Sequence, residues 1–426
     1  MPISDVEARL LDSLDEQALV DTLVALVQVP SITGTDEESE LQHDQALALT
    51  ELGFNVDSWN FELDELREHP DYPGEEAPRS EGYGVVGILG DRDGTGHPAL
   101  VLQGHVDVVP VGDLHKWVDD DPFSGSIING ALHGRGACDM KAGLAANLAV
   151  ARALAVSGVT LERPFGIHSV VSEEDGGLGA FATMLRGHSA EAAVLTEPTS
   201  GRIVVANAGA LTFEISVPGR AAHGSTRLEG HSALDAFLPI YARLSELERE
   251  RNAAPDPLFD IPLPYPISVG RIRAGDWASS VPDLLIAEGR LGVILDENPM
   301  DARAALERAV ASACVADPWL RDNPATVTWS GGQFASGRLD GGHPLIGEVS
   351  RSIVDLSGGV HPQRSAAPYG SDLRLYSGMG GIPTLHYGPG DVRFAHAPRE
   401  QVQIDELIVV ARSLLVLAAR RCLARF

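Results

Sequence analysis

Between residues 98 and 198 the chain alternates short apolar runs with helical stretches. PALVLQGHVDVV (98–109) reads as a buried strand, MKAGLAANLAVARALAVSG (140–158) as an alanine-rich helix that stops at Gly158, and PFGIHSVVS (164–172) as a second strand. GLGAFATMLR (177–186) reads as a helix and AEAAVLTEP (190–198) as a third strand. Near-continuous apolar strands are buried on both faces, and strands that alternate with helices build a largely parallel sheet covered by those helices.

The rest of the chain is read against that core. Helical periodicity marks 14–28 and 38–52, and 54–83 is a polar, proline-bearing excursion that opens with a strand. Near residue 210 the style changes. ALTFEISVPG (210–219) alternates as a strand, 231–252 is a long amphipathic helix, 265–275 and 284–295 are strands, 300–318 is a helix, and 325–334 is a last strand. This β-α-β-β-α-β order matches a ferredoxin-like unit. A helix at 341–358, a strand at 382–390 with a glycine-rich exit and a closing helix over 400–425 follow. The chain therefore reads as an α/β domain built from both ends, 1–209 and 331–426, with a compact α+β domain inserted at 210–330. A length of 426 residues suits two or three domains.

Composition narrows the function classes. A net charge of −28 argues against nucleic acid and anionic membranes as partners, since both need clustered Lys and Arg. Lys116 and Lys141 are the only lysines, a bias that fits either a high-salt setting or a GC-rich genome. No stretch approaches the ~18 uncharged apolar residues that span a bilayer. The acidic start lacks a basic region followed by an apolar one, so the expectation is a cytoplasmic protein. Cys138, Cys314 and Cys422 are widely spaced and form no CxxC.

The chemistry is written at the strand ends. GHVDVVP offers His105 and Asp107, and GRGACDMKAG places Asp139 just before the alanine-rich helix. VVSEED offers the adjacent Glu173 and Glu174, VLTEPT offers Glu197, and GDVRFAHAPRE offers His396. Ligands of open α/β sheets bind at the carboxyl ends of strands, so these residues point at one crevice. Taken singly each has a plain reading: Asp139 as a helix N-cap, Glu173 and Glu174 as a solvated strand end, Glu197 as a loop acid. Two imidazoles with several carboxylates suit zinc, cobalt or manganese. Two divalent cations and one anion from solvent balance Asp139, Glu174 and Glu197, whereas a single cation leaves net negative charge in a partly dry site. In the H-x-D spacing, Asp107 faces the same way as His105 and could orient it.

GHVDVVP, GRGACDMKAG, SEEDGG, TEPT and HAPRE together resemble the signature blocks of the M20 metallopeptidases, the group of acetylornithine deacetylase, succinyl-diaminopimelate desuccinylase, aminoacylase-1 and glutamate carboxypeptidase. The resemblance runs over nearly the whole chain. It implies a zinc-exopeptidase-like catalytic domain with a lid and dimerisation domain inserted at 210–330. It also implies two metal ions bridged by Asp139, one on His105 and Glu197 and the other on Glu174 and His396, with a cis peptide after Asp139. Glu173 would be the general base and Asp107 would steady His105. His223, in GRAAHGST, would reach a neighbouring active site across a homodimer, and Arg290 would grip a substrate carboxylate. Gly388 and Gly390, in GPGD, would offer backbone N–H groups to the substrate.

The resulting expectation is a dinuclear amidohydrolase that removes a small N-acyl group from an amino acid or related amine, in the manner of acetylornithine deacetylase. A di- or tripeptidase or a carboxypeptidase is the alternative within the family. A non-catalytic binding relative would have lost ligands or base, and neither loss is seen. A serine hydrolase would need a G-x-S-x-G elbow, which the chain does not carry. The strand TFEISV (212–217) is expected to be an unpaired edge through which two copies pair. Ser279 and Arg399 depart from residues common in relatives, at positions away from the metal ligands.

Overall fold

The structure, a computed structural model, describes residues 3–90 and 97–426. Helix α1 (Asp5–Asp12) starts on a reciprocal capping box between Ser4 and Glu7. Helix α2 (Glu16–Gln28) starts on the Asp15 cap. At its far end the buried Lys141 Nζ donates to the carbonyls of Leu26 and Val29, at 2.9 and 2.8 Å. Each carbonyl also accepts a backbone N–H, from Val29 and Ser31 respectively, and burial pushes the amine down to a pKa of about 7. Helix α3 (Asp36–Glu51) leads into strands β1 (Asn55–Asn60), β2 (Tyr83–Leu89) and β3 (Leu100–His105). Helix α4 (Lys141–Val156), β4 (Phe165–Val170), α5 (Leu178–Leu185), β5 (Ala193–Pro198) and β6 (Ile203–Asn207) follow.

The chain then makes β7 (Gly209–Pro218), α6 (Ala233–Arg251), β8 (Ile267–Ala274), β9 (Leu284–Val293), α7 (Pro299–Ala316) and β10 (Thr326–Phe334). It closes with β11 (Gly337–Arg338), α8 (Pro344–Leu356), β12 (Arg364–Ala367), β13 (Thr384–Gly388) and α9 (Ile404–Arg421).

Nine strands form the main sheet in the order β1-β2-β4-β3-β5-β13-β6-β11, with β12 also paired to β6. The expected parallel arrangement holds at the centre, β4-β3-β5-β13. The flanks differ: β1 with β2, β2 with β4, β13 with β6 and β6 with β11 run antiparallel. Antiparallel pairing needs no helical crossover, and β1 reaches β2 through the polar excursion instead. Every residue of β3, β4 and β5 is buried. Helix α4 packs across these three strands and buries 13 of its 16 residues. Its small side chains permit a very close approach: a Cβ at Gly143 would overlap the carbonyl of Thr196 on β5. That closeness brings Asp139, just before α4, beside Glu197 on β5.

The second sheet, β8-β9-β7-β10, is antiparallel throughout and carries α6 and α7. Along β7 the inward Leu211, Phe213, Ile215 and Val217 are buried and the residues between them are partly exposed. The expected edge at 212–217 is not an edge. Two interleaved β-α-β halves place the first strand between the third and the last, so β7 is paired with β9 on one side and β10 on the other. The outer strands are β8 and β10. No helix among the described residues is long and apolar enough to cross a membrane.

Candidate active site

The neighbouring ends of β4, β3, β5 and β13 define one cleft of ≈200 Å³, whose lining includes Asp139, Glu173, Glu174, Glu197 and His396. His105 is the last residue of β3, Glu173 and Glu174 follow β4, Glu197 lies in β5, and His396 stands in the loop after β13. Asp139 sits between the two imidazoles. Its Oδ1 is 3.5 Å from His105 Nε2, and its Oδ2 is 3.6 Å from His396 Nε2. Glu174 Oε2 is 2.9 Å from His396 Nε2. One potential ligand atom each from His105, Glu173 and Glu197 lie within 4.8 Å of one another, as do those of His105, Asp139 and Glu174. The peptide between Asp139 and Met140 is cis.

The supporting contacts fix these groups. His105 Nδ1 faces the Asp107 carbonyl at 2.9 Å, so Nδ1 carries a hydrogen and Nε2 is the ring atom turned to Asp139. The Asp107 carboxylate is farther off, at 3.5 Å. Its two oxygens instead accept the N–H groups of Glu173 and Glu174, both at 3.2 Å, and the hydroxyl of Thr33 at 2.9 Å. The expected partnership of Asp107 with His105 therefore runs through the backbone, while the side chain orders the two glutamates. Ser172 and His396 hold left-handed backbone, with φ of 61° and 56°, which is costly for residues with a Cβ.

Sequence reasoning gave no role to Glu400. Its buried carboxylate accepts the N–H groups of Cys138 and Asp139, at 3.1 and 3.0 Å, and pairs with Arg135. It also missed the buried Asp372, which accepts from Gln103 Nε2 at 3.0 Å. The available signals were the glutamate closing HAPRE and the aspartate in GSDLR.

The electrostatics are those of crowded acids. Burial, and then Glu197, raise the Glu173 carboxyl well above the usual range. Burial likewise raises Glu197, with Asp139 and Asp372 adding to it. Asp372 is pushed up to about 6, chiefly by burial. Glu174 raises His396 to about 9. Burial works against charge on His105, but Asp139, Asp107, Glu197 and Glu173 overcome it and raise that imidazole too. Within the cluster His105 Nε2 and Glu197 Oε1 are buried with no hydrogen-bond partner. Buried polar atoms are rarely left so. A cation beside them satisfies both, and the nitrogen and oxygen donors suit a divalent transition metal.

Four further residues named from the sequence lie outside the cluster itself. His223 is exposed in the second domain's loop, where its ring meets Ser225 and its backbone bridges Ser280; it touches none of the cluster. Arg290 on β9 is mostly buried and reaches towards the cleft, with its Nη2 donating to the Pro368 carbonyl at 3.1 Å beside the lining Tyr369. Gly388 and Gly390 do not offer free N–H groups. The first donates to Thr199 Oγ1 at 3.3 Å and the second to Glu406. Both glycines are buried; a Cβ at Gly388 would overlap the Thr196 carbonyl, so Gly388 serves close strand packing, while Gly390 holds a left-handed φ of 97° beside the Cys138 thiol. Cys138 turns its thiol to the Asp391 carbonyl at 3.2 Å.

An α/β sheet whose parallel strand ends gather two imidazoles, a shared aspartate and three glutamates defines a metal-dependent hydrolase class. The family model for peptidase family M20/M25/M40 matches residues 101–420, and the chain belongs to that family of metal-dependent hydrolases of amide bonds. The chain is 29% identical over 428 aligned residues to N-formyl-4-amino-5-aminomethyl-2-methylpyrimidine deformylase of Bacillus subtilis, with 93% of this chain and 92% of that protein covered. It is 27% identical to succinyl-diaminopimelate desuccinylase of a Caulobacter species, with 96% of each covered. Its fold is similar to that of human carnosine dipeptidase 1, at a TM-score of 0.77 and 15% identity, with 99% of this chain and 100% of that one covered.

Proposed function

We propose that the chain hydrolyses the amide of a small N-acyl amine, releasing an amino acid or related amine, with an N-acetyl amino acid of the acetylornithine type as the leading substrate. The observation that carries this reading is the placement of Asp139, whose two oxygens address two different imidazoles at 3.5 and 3.6 Å. In this reading Asp139 would be shared by two cations, with His105 and Glu197 as residues that would hold one and Glu174 and His396 as residues that would hold the other. Zinc is the proposed metal, with cobalt or manganese as alternatives. When bound, such ions polarise an amide carbonyl and acidify water.

The chain's own residues do the rest. Glu173 is buried beside the cluster, and its carboxylate takes a proton from the attacking water and gives it to the leaving nitrogen. Water adds across the C–N bond: the acyl carbon gains oxygen and departs as a carboxylate, and the nitrogen departs as the amine. Arg290 supplies a guanidinium for a substrate carboxylate.

The peptidase reading has one observation in its favour. Past Pro198, Tyr369 and Val392 the cleft adjoins a second cavity of ≈480 Å³, roomy enough for a larger leaving group. A panel of N-formyl, N-acetyl and N-succinyl amines against di- and tripeptides tests the choice. Acyl amines are expected to exceed peptides in kcat/KM by ~10-fold or more, equivalent to about 1.4 kcal/mol of transition-state stabilisation. The reverse order makes the chain a peptidase.

A homodimer through the second domain also belongs to this reading, with His223 of one subunit completing the site of the other. Support comes from α6, where Leu234, Leu238 and Tyr241 recur at helical spacing and are 46, 57 and 50% exposed. The three unpaired, buried cysteines fit a reducing compartment such as the cytoplasm.

A further inference from the structure

Glu173 and Glu174 are followed by a third acid, Asp175, which the chemistry above does not use. It is 4% exposed and turns away from the cleft. Its Oδ2 accepts the N–H groups of Glu76 and Ala77, at 3.1 and 2.9 Å, and its Oδ1 accepts the Ser172 hydroxyl. Residues 73–79 thus form a strap against the turn that carries Glu173.

The same strap grips the second sheet. The Glu76 carboxylate accepts the Thr212 hydroxyl of β7 at 2.9 Å and the Gly332 N–H of β10 at 3.4 Å. The Pro73 carbonyl accepts the Gln333 N–H at 2.9 Å. Backbone lies on backbone throughout: a Cβ at Gly176 would overlap the Gly74 carbonyl, and a Cβ at Gly74 would overlap the Gly331 carbonyl. The strap is anchored by the buried Arg79–Glu38 pair at 3.0 Å, and Glu38 in turn accepts the Ser172 N–H at 2.9 Å. Glu76 therefore binds the turn through its backbone and the second sheet through its side chain.

We propose that Glu76 and Asp175 are positioning residues that hold the Glu173 turn in register with the second sheet. The proposal rests on Glu173 being the base. A loosened turn leaves the substrate's contacts in place and misplaces the proton acceptor, so the effect falls on kcat and not on KM.

Hydrogen exchange of the metal-free full chain, read on peptides covering 170–177, tests the link without recourse to turnover. Asp175→Ala is expected to speed exchange there by ~10-fold or more, since a ~10-fold rise corresponds to losing about 1.4 kcal/mol of local protection, while β3 stays protected. Asp175→Asn, which keeps an acceptor for the strap, restores protection. Glu76→Ala and the milder Thr212→Val, which cut only the sheet end, are expected to give smaller rises in the same segment. In the metal-loaded enzyme Asp175→Ala lowers kcat with KM within about twofold, as befits a group felt only in the transition state. Wild-type exchange at 170–177 in Asp175→Ala overturns the proposal. So does faster exchange with unchanged kcat in an enzyme that Glu173→Gln inactivates. If Glu173→Gln itself remains active, the base assignment fails, and the exchange result stands separately.

Discussion

Glu400 provides the sharpest test of how the loop carrying Asp139 is held. Its carboxylate is 1% exposed and serves three donors from residues 135, 138 and 139. Glu400→Gln keeps one acceptor oxygen and removes the negative charge opposite Arg135. Removing one member of a buried pair costs about 3–5 kcal/mol when nothing replaces it. The amide oxygen still serves one side, so the expected loss is about 2–3 kcal/mol by the usual worth of hydrogen bonds to charged groups. With the Asp139 peptide less firmly held, metal affinity is expected to fall ~10–100-fold, the usual scale for residues that orient ligands. Urea unfolding of metal-free protein reads the first quantity, and competition against a chelator reads the second. A clear stability loss with metal affinity within about twofold of wild type would refute the reasoning, since Glu400 would then support the fold without orienting Asp139.

Two further outcomes follow from the same geometry. At neutral pH the metal-free cluster holds extra protons: Glu174 raises His396 to about 9, and burial raises Glu173 and Glu197. Metal loading is expected to release protons and to tighten as pH rises towards 9, which titration calorimetry in buffers of different ionisation enthalpy measures; no net release contradicts it. Because the folded pKa of His396 lies above its ordinary 6.5, its contribution to metal-free stability is full below that value and is lost as pH rises through about 9. In the second domain, Leu238→Arg with Tyr241→Arg is expected to turn a dimer into a folded monomer by light scattering. A wild-type protein that is monomeric while active contradicts the dimer.

Much of the site was legible because a folded α/β sheet leaves few uses for a histidine or carboxylate at the end of a buried apolar run. His105 and Glu197 announce themselves at the ends of β3 and β5, and Glu173 just past the end of β4. Asp139 was legible through the alanine-rich helix behind it, whose small side chains let α4 lie on β5. What local sequence does not encode is pairing at a distance. Glu400 acquires its meaning from N–H groups 261 and 262 residues away in the chain. The place of β7 inside its sheet depends on strand order, which alternation alone does not specify, so an internal strand was read as an edge. Gly388 and Gly390 looked like a ligand loop because glycine serves substrate approach and tight strand packing equally well; the Thr196 carbonyl decides for packing at Gly388.

The account stands on Asp139 being shared between two cations. Elemental analysis of the fully loaded enzyme, paired with anomalous diffraction at the metal edge, tests this directly. Two ions per chain, flanking Asp139 and contacting His105 on one side and His396 on the other, are the predicted result. A single ion at saturation, or imidazoles turned away from it, contradicts the account.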